Sequence, residues 1–279
     1  MLDRDAEMLH AQGVAVFINT ITAAGLLAPA LVALAGLPAA HAQVQAQAAP
    51  PPCTAPAELA KFERPFAHLA GRIAQRSPIT VVAVGSSSTM GTGASSPAAA
   101  YPSRLEALLK ARFVGVPIRV LNRGVGGEEV RDMLARFDRS VIAEKPDLVL
   151  WQIGTNSVLY DHPIVGNAAV LSDGLNRLKA IGTDLALINP QYAPKVLAKP
   201  AVENMVGLIS TTAKQSGVDL FDRFAVMKYW HEGARLPFTA FLNVDQLHMN
   251  DWGYNCLAEL LSVAIADAVA RAPQPLARK

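Results

Sequence analysis

Ile79-Thr80-Val81-Val82-Ala83-Val84-Gly85-Ser86-Ser87-Ser88-Thr89 passes within eleven residues from a β-branched, apolar run into a glycine and four hydroxyl side chains. The run shows no polar alternation, so it predicts a strand buried on both faces, as in a parallel sheet covered by helices. Working outward, similar apolar runs stand at 118–122, 147–152 and 184–189, with a weaker one at 218–221. Helical periodicity separates them at 101–113, 128–143, 167–181 and 200–216. A first helix is expected over 57–75, with Leu59, Phe62, Phe66, Leu69 and Ile73 on one side, and a last over about 252–271. Strand–helix alternation of this kind predicts the α/β class: a three-layer α/β/α domain over 57–279 with a parallel sheet of about five strands.

The 279 residues are 51% hydrophobic and 17% charged, enough for a sizeable core, and the net charge of +2 is close to neutral. No basic stripe with interleaved aromatics stands out, so no nucleic-acid partner is expected. From Val14 to Leu37 the chain is nearly all apolar, and it then reads Ala39-Ala40-His41-Ala42. Small residues at Ala40 and Ala42 fit a signal-peptidase site, which predicts residues 1–42 to be an export signal cleaved after Ala42 and the protein to be periplasmic or secreted. Asp3, Asp5 and Glu7 against Arg4 depart from the positive start of such signals. A retained membrane anchor is the alternative, and only then is membrane contact expected. Residues 43–56, rich in Ala, Gln and Pro, read as a flexible leader.

Cys53 and Cys256 are the only cysteines, and neither has a metal-ligand neighbour at the usual spacing. In an oxidising compartment their simplest reading is one disulfide tying the start of the domain to its last helix. Two unrelated thiols are the alternative.

Four short motifs carry the chemistry. Gly85 allows a tight exit from the first strand that exposes Ser87. Gly124-Val125-Gly126-Gly127-Glu128 follows the second strand and Gly154-Thr155-Asn156 the third. All three therefore lie at carboxyl ends of strands, where open α/β sheets bind ligands. Gly127 offers a backbone N–H with no side chain in the way, and Asn156 a fixed NH₂ donor. In Asp245-Gln246-Leu247-His248 a three-residue spacing lets a carboxylate reach the imidazole N–H. His162 and His231 have no such partner at short spacing. Taken singly, each residue is also what an ordinary turn or helix cap would contain. No Gly-Lys-Ser/Thr follows Ser87, which excludes a phosphate-binding loop.

Together the four blocks resemble those of the SGNH hydrolases, also called the GDSL esterase/lipase family. Val81–Gly91 is similar to the first block, with Ser87 at the nucleophile, and Asn122–Glu128 to the second, with Gly127 at the oxyanion glycine. Gly154–Asn156 matches the third, with Asn156 at the oxyanion asparagine, and Asp245–His248 the last, and the likeness spans about residues 79–270. Where the family usually has Asp before the nucleophile, this chain has Ser86. The resemblance implies a flavodoxin-like SGNH fold and acyl transfer by Ser87, His248 and Asp245. The amides of Ser87 and Gly127 and the Asn156 side chain would bind the oxyanion, with no metal or organic cofactor.

The implied substrate is an ester with a short acyl group such as acetyl, carried on a carbohydrate. Trp151, Gln152, Gln191, Tyr192 and Trp230 are the candidate lining residues, Gln191 and Tyr192 foremost, with Trp151 also reading as core. An O-acyltransferase on the same scaffold, or a catalytically silent carbohydrate-binding envelope protein, are the competing readings. The sequence carries no sign of oligomeric state.

Overall fold

The computed structural model describes residues 50–163 and 166–273, which fall within one compact unit. The expected signal or anchor over 1–42 and the first half of the leader over 43–56 lie outside the described residues. Five strands form the sheet: β1 (Ile79–Gly85), β2 (Ile118–Gly124), β3 (Leu148–Gln152), β4 (Asp184–Ile188) and β5 (Asp219–Phe221). All pair in parallel, in the order β2-β1-β3-β4-β5. This is the flavodoxin-like order, with its switch point between β1 and β3.

The helices are α1 (Ala67–Ala74), α2 (Ser87–Met90), α3 (Tyr101–Arg112), α4 (Val130–Ala135), α5 (Phe137–Ser140), α6 (Thr155–Leu159), α7 (Asn167–Ala180), α8 (Pro194–Leu197), α9 (Val202–Ser216), α10 (Arg223–Lys228), α11 (Phe238–Phe241) and α12 (Asp251–Ala270). α12 packs against α1 and α3, while α4, α7 and α9 form a second layer with α7 between the other two. Right-handed crossovers from a sheet whose order reverses at β1 put these two layers on opposite faces.

Every residue of β1 and β3 is buried, as their unbroken apolar runs require. Each large aliphatic side chain so buried contributes about 1.5–3 kcal/mol. Trp151 packs edge-on to Phe137 with centroids 4.8 Å apart. A Cβ on Gly174 of α7 would come within 2.5 Å of the Trp151 ring, which explains a glycine inside that helix.

Register sets up the site. Gly85 is level with Gly124, and Val84 with Trp151, so β1, β2 and β3 end together. A Cβ on Gly85 would lie 2.2 Å from Thr89 Oγ1, and one on Gly124 2.1 Å from the Met90 nitrogen. Both glycines are there because α2 lies directly against the strand ends.

Two expected helices differ from the sequence reading. The one over 57–75 starts only at α1, because Pro65 disfavours helical backbone at Arg64. The amides of Glu63 and Arg64 instead donate to Asp219 Oδ1, and Phe62 and Phe66 are buried without belonging to a helix. The one over 128–143 is broken at Arg136 between α4 and α5. Arg136 is buried, and its guanidinium binds both Glu128 carboxylate oxygens and the Arg123 carbonyl. Those bonds hold the loop after β2 and outweigh helical continuity.

Candidate active site

Ser87 is the first residue of α2, immediately beyond β1. Its Oγ lies 2.8 Å from His248 Nε2, and His248 Nδ1 lies 2.5 Å from Asp245 Oδ2. The other Asp245 oxygen accepts the amides of Leu247 (3.0 Å) and His248 (2.9 Å). An ionised carboxylate only accepts, so Nδ1 must carry the ring proton and Nε2 is left to accept from the Ser87 hydroxyl. Burial pushes the Asp245 carboxyl up, but the bonds from the His248 ring and from the His248 and Leu247 amides outweigh it. The net direction is below the ordinary value, so Asp245 is charged at neutral pH.

The loop bearing this pair is closed at its base. Leu242 and Met249 pair antiparallel, and the Asn243 amide donates to the His248 carbonyl at 2.8 Å. The Asn243 side chain donates to the Gly93 carbonyl, fastening the loop to the segment after α2. Asn250, two residues past His248, caps α12 by accepting from the Gly253 amide at 3.0 Å. Asp245 and His248 are thus held just before α12, the longest helix among the described residues.

Gly127 has φ +80°, a conformation that suits glycine, and a Cβ there would lie 3.3 Å from the Tyr160 hydroxyl. Asn156 is buried at the start of α6, and its Nδ2 donates to the Glu128 carbonyl at 2.8 Å. That bond ties the Asn156 carboxamide to the turn beside Gly127 and leaves its second N–H free of that contact. The amides of Ser87 and Gly127 have no hydrogen-bond acceptor among the described residues.

Ser86, in the place of the family's usual Asp, is buried and donates its amide (2.9 Å) and hydroxyl (3.1 Å) to Gln152 Oε1. Thr89 reaches the same oxygen. Gln152 therefore braces the serine turn from below, a role that sequence reading missed; its place at the end of β3, level with the serine turn, was the signal.

The expected lining residues mostly do not line the site. Trp151, Gln152, Gln191 and Trp230 are all buried to 1% exposure or less. Gln191 has both ends of its amide engaged: Oε1 accepts from Thr155 Oγ1 and Arg223 Nη2, each at 2.9 Å, and Nε2 donates to the Leu247 carbonyl at 3.3 Å. A direct substrate contact by Gln191 is therefore corrected to an internal one. Tyr192 is half-buried among Phe224, His231 and Phe238. Burial and the Glu232 carboxylate it donates to push its phenol up to about 12. Of seven large hydrophobic side chains exposed among the described residues, four lie within four residues of Ser87, Gly127, Asn156 or Asp245 in sequence: Met90, Val125, Tyr160 and Val244.

A second serine, carboxylate and histidine meet nearby. Ser157 Oγ donates to Glu129 Oε2 at 2.5 Å, and His162 Nδ1 lies 2.6 Å from Glu129 Oε1. Here the carboxylate stands between serine and imidazole, so the histidine cannot take the serine's proton. The Cys53 and Cys256 sulfurs are 1.93 Å apart, bridging residues 203 apart in sequence.

A model of the non-GDSL lipase-like family matches residues 52–271. An acetylxylan esterase of Geobacillus stearothermophilus is 40% identical over 91 residues, which are 32% of this chain and 38% of that relative's length. Among solved structures, a two-domain esterase active on acetylated mannans superposes with TM-score 0.62 at 16% identity, over 78% of this chain and 59% of that one. A catalytic mutant of Axe2, an acetylxylan esterase from Geobacillus stearothermophilus, superposes with TM-score 0.55 at 22% identity, over 67% of this chain and 94% of that one. At these identities the structural likeness is one of fold.

Proposed function

The chain belongs to the non-GDSL lipase-like family, and from that premise we propose that it is a serine esterase of SGNH type that removes short acyl groups, acetyl above all, from carbohydrates. One observation carries the reading: the unbroken relay of Ser87 Oγ, the His248 ring and Asp245 Oδ2, with contacts of 2.8 and 2.5 Å. Ser87 Oγ attacks the ester carbonyl carbon while His248 Nε2 takes its proton. Asp245 holds the tautomer and stabilises the imidazolium that forms. The carbon–oxygen bond to the alcohol then breaks, His248 returns the proton to the leaving oxygen, and water releases the acyl group by the same route. In this reading the Ser87 and Gly127 amides and the Asn156 carboxamide bind the oxyanion, each contributing about 3 kcal/mol.

The SGNH assignment rests on the four blocks and their placement at the ends of β1, β2 and β3 and before α12. Ser86 in place of Asp agrees with a family described as non-GDSL. The carbohydrate assignment rests on the acetylxylan and acetylated-mannan esterases that the chain resembles. Export is part of the proposal and is supported by the Cys53–Cys256 pairing, which suits an oxidising compartment.

The test is a series of p-nitrophenyl esters from acetyl to decanoyl, with acetylated xylo- and manno-oligosaccharides beside them. Fastest turnover on acetyl and release of acetate from the glycans are expected. Preference for decanoyl with no acetate released would contradict the substrate assignment, and acyl transfer to a glycan in place of hydrolysis would favour the transferase.

A further inference from the structure

Leu247 and His248 share one peptide group that is gripped at both ends. Its N–H donates to Asp245 Oδ1 at 2.9 Å, and its carbonyl accepts from Gln191 Nε2 at 3.3 Å. The Gln191 contact depends on which way the amide faces. A carboxamide presents an acceptor at one end and donors at the other, and its two orientations fill the same space. Here the donors Thr155 Oγ1 and Arg223 Nη2 converge on one end, both at 2.9 Å, so that end must be oxygen and the N–H groups must face Leu247.

Arg223 stands out by its burial. It is fully buried, and its acceptors among the described residues are neutral: the Asn189 carbonyl, reached by Nε at 3.0 Å, and Gln191 Oε1. Its Nη1 has no hydrogen-bond partner among the described residues. Burying a guanidinium without a carboxylate is costly, so the residue is expected only where its rigid fork of donors is needed. The fork spans the end of β4 and the Gln191 amide. Thr155 on the same amide comes from the third sequence block, next to Asn156.

We propose that Arg223 and Gln191 are positioning residues for the acid–base pair, a buried strut that sets the Leu247–His248 peptide in place over Ser87 and links it to the Asn156 turn. The proposal rests on the serine-esterase reading. It explains why Gln191 is an amide: the position needs an acceptor toward Arg223 and a donor toward Leu247 at once, which neither a carboxylate nor an apolar side chain provides.

The test is Gln191→Glu. This variant keeps size and acceptor and gives Arg223 a counter-charge, but puts an oxygen against the Leu247 carbonyl. With p-nitrophenyl acetate, kcat is expected to fall about tenfold to a hundredfold, as misplacement of a catalytic group does. KM should stay within about twofold, because the strut touches no substrate. Arg223→Lys, which keeps the charge and loses the fork, should lower kcat in the same way. Wild-type kcat in Gln191→Glu would overturn the strut, and a raised KM with unchanged kcat would return Gln191 to the substrate. Gln191→Met offers the same two outcomes if the glutamate variant does not fold. Wild-type and Ser87→Ala enzyme are run alongside: turnover that survives Ser87→Ala defeats the esterase reading itself, whereas serine-dependent turnover indifferent to Gln191→Glu defeats only the strut.

Discussion

In the proposed mechanism His248 acts as the base beside an anionic Asp245, and Asp245 accepts three hydrogen bonds, one from the His248 ring and two from the Leu247 and His248 amides of the same turn. Asp245→Asn keeps the shape and removes the charge, so the ring can settle in the wrong tautomer. We expect kcat to drop on the order of 10⁴-fold with the fold intact, which steady-state kinetics and circular dichroism would show together. The same carboxylate makes a pH prediction. Its folded pKa lies below the ordinary 3.8, so its contribution to stability is present above that value and is lost as pH falls through the lower, folded one. Wild type should therefore lose Tm more steeply than Asp245→Asn below about pH 4, and parallel curves would show that the carboxylate adds no stability. Asn156→Ala should cost on the order of 10²–10³ in kcat if its amide meets the oxyanion. An effect confined to KM would place Asn156 in ground-state binding instead. At this scale the sequence was legible where a residue's role depends on near neighbours, as in the Asp-x-x-His turn. It was misleading where the role depends on distant ones. Gln191 sits in a polar loop, and Thr155, 36 residues before it, Arg223, 32 residues on, and Leu247, 56 residues on, make it internal.

β1 and β3 were legible because burial on both faces leaves an apolar run without alternation, whereas β2, at the edge of the sheet, carries Arg119 and Asn122 and is only partly buried, so its run over 118–122 is not the doubly buried strand expected. The helices were legible where one face packs on the sheet, as in α3, α7, α9 and α12. They were misread where a polar side chain takes the backbone elsewhere. Arg136 ends α4 to reach Glu128, and Asp219 draws the amides of Glu63 and Arg64 out of any helix before α1. The short α2, α6, α8, α10 and α11 left no periodic signal, since four to six residues make too few turns to show one. Gly124 belongs to this scale because its hydrogen is what lets α2 dock on β2. Gly124→Ala would put a methyl 2.1 Å from the Met90 nitrogen and 2.6 Å from the Thr89 carbonyl carbon. Either β2 or α2 must move, so a loss of about 1–3 kcal/mol by chemical denaturation is expected, with a fall in kcat as Ser87 shifts away from His248. Full stability and activity would contradict a close α2–β2 contact.

Across the whole molecule, the sheet's topological switch brings four separate segments to one edge, and the Cys53–Cys256 bridge ties the start of the unit to the helix that follows the acid–base loop. Reduction, or paired Cys53→Ser and Cys256→Ser substitutions, should lower stability by about 2–5 kcal/mol and leave the serine chemistry in place below the new Tm. An unchanged Tm would mean that packing of Cys256 within α12 already holds the two together. Tyr160 is half-exposed and its hydroxyl lies 3.3 Å from where a Cβ on Gly127 would stand, so under the proposed function it is the aromatic side chain beside the site that a sugar ring would meet. Tyr160→Ala should therefore raise KM for an acetylated oligosaccharide several-fold and change hydrolysis of methyl acetate little, and equal effects on both esters would place Tyr160 in the reaction itself. All of this depends on Ser87 being the activated nucleophile, and that is directly observable. Treatment with an organophosphate triester bearing a good leaving group, followed by peptide mass mapping, should place one dialkyl phosphate on Ser87 in wild type and almost none in His248→Ala. A label on another residue, or ester turnover that survives with Ser87 fully labelled, would contradict the account.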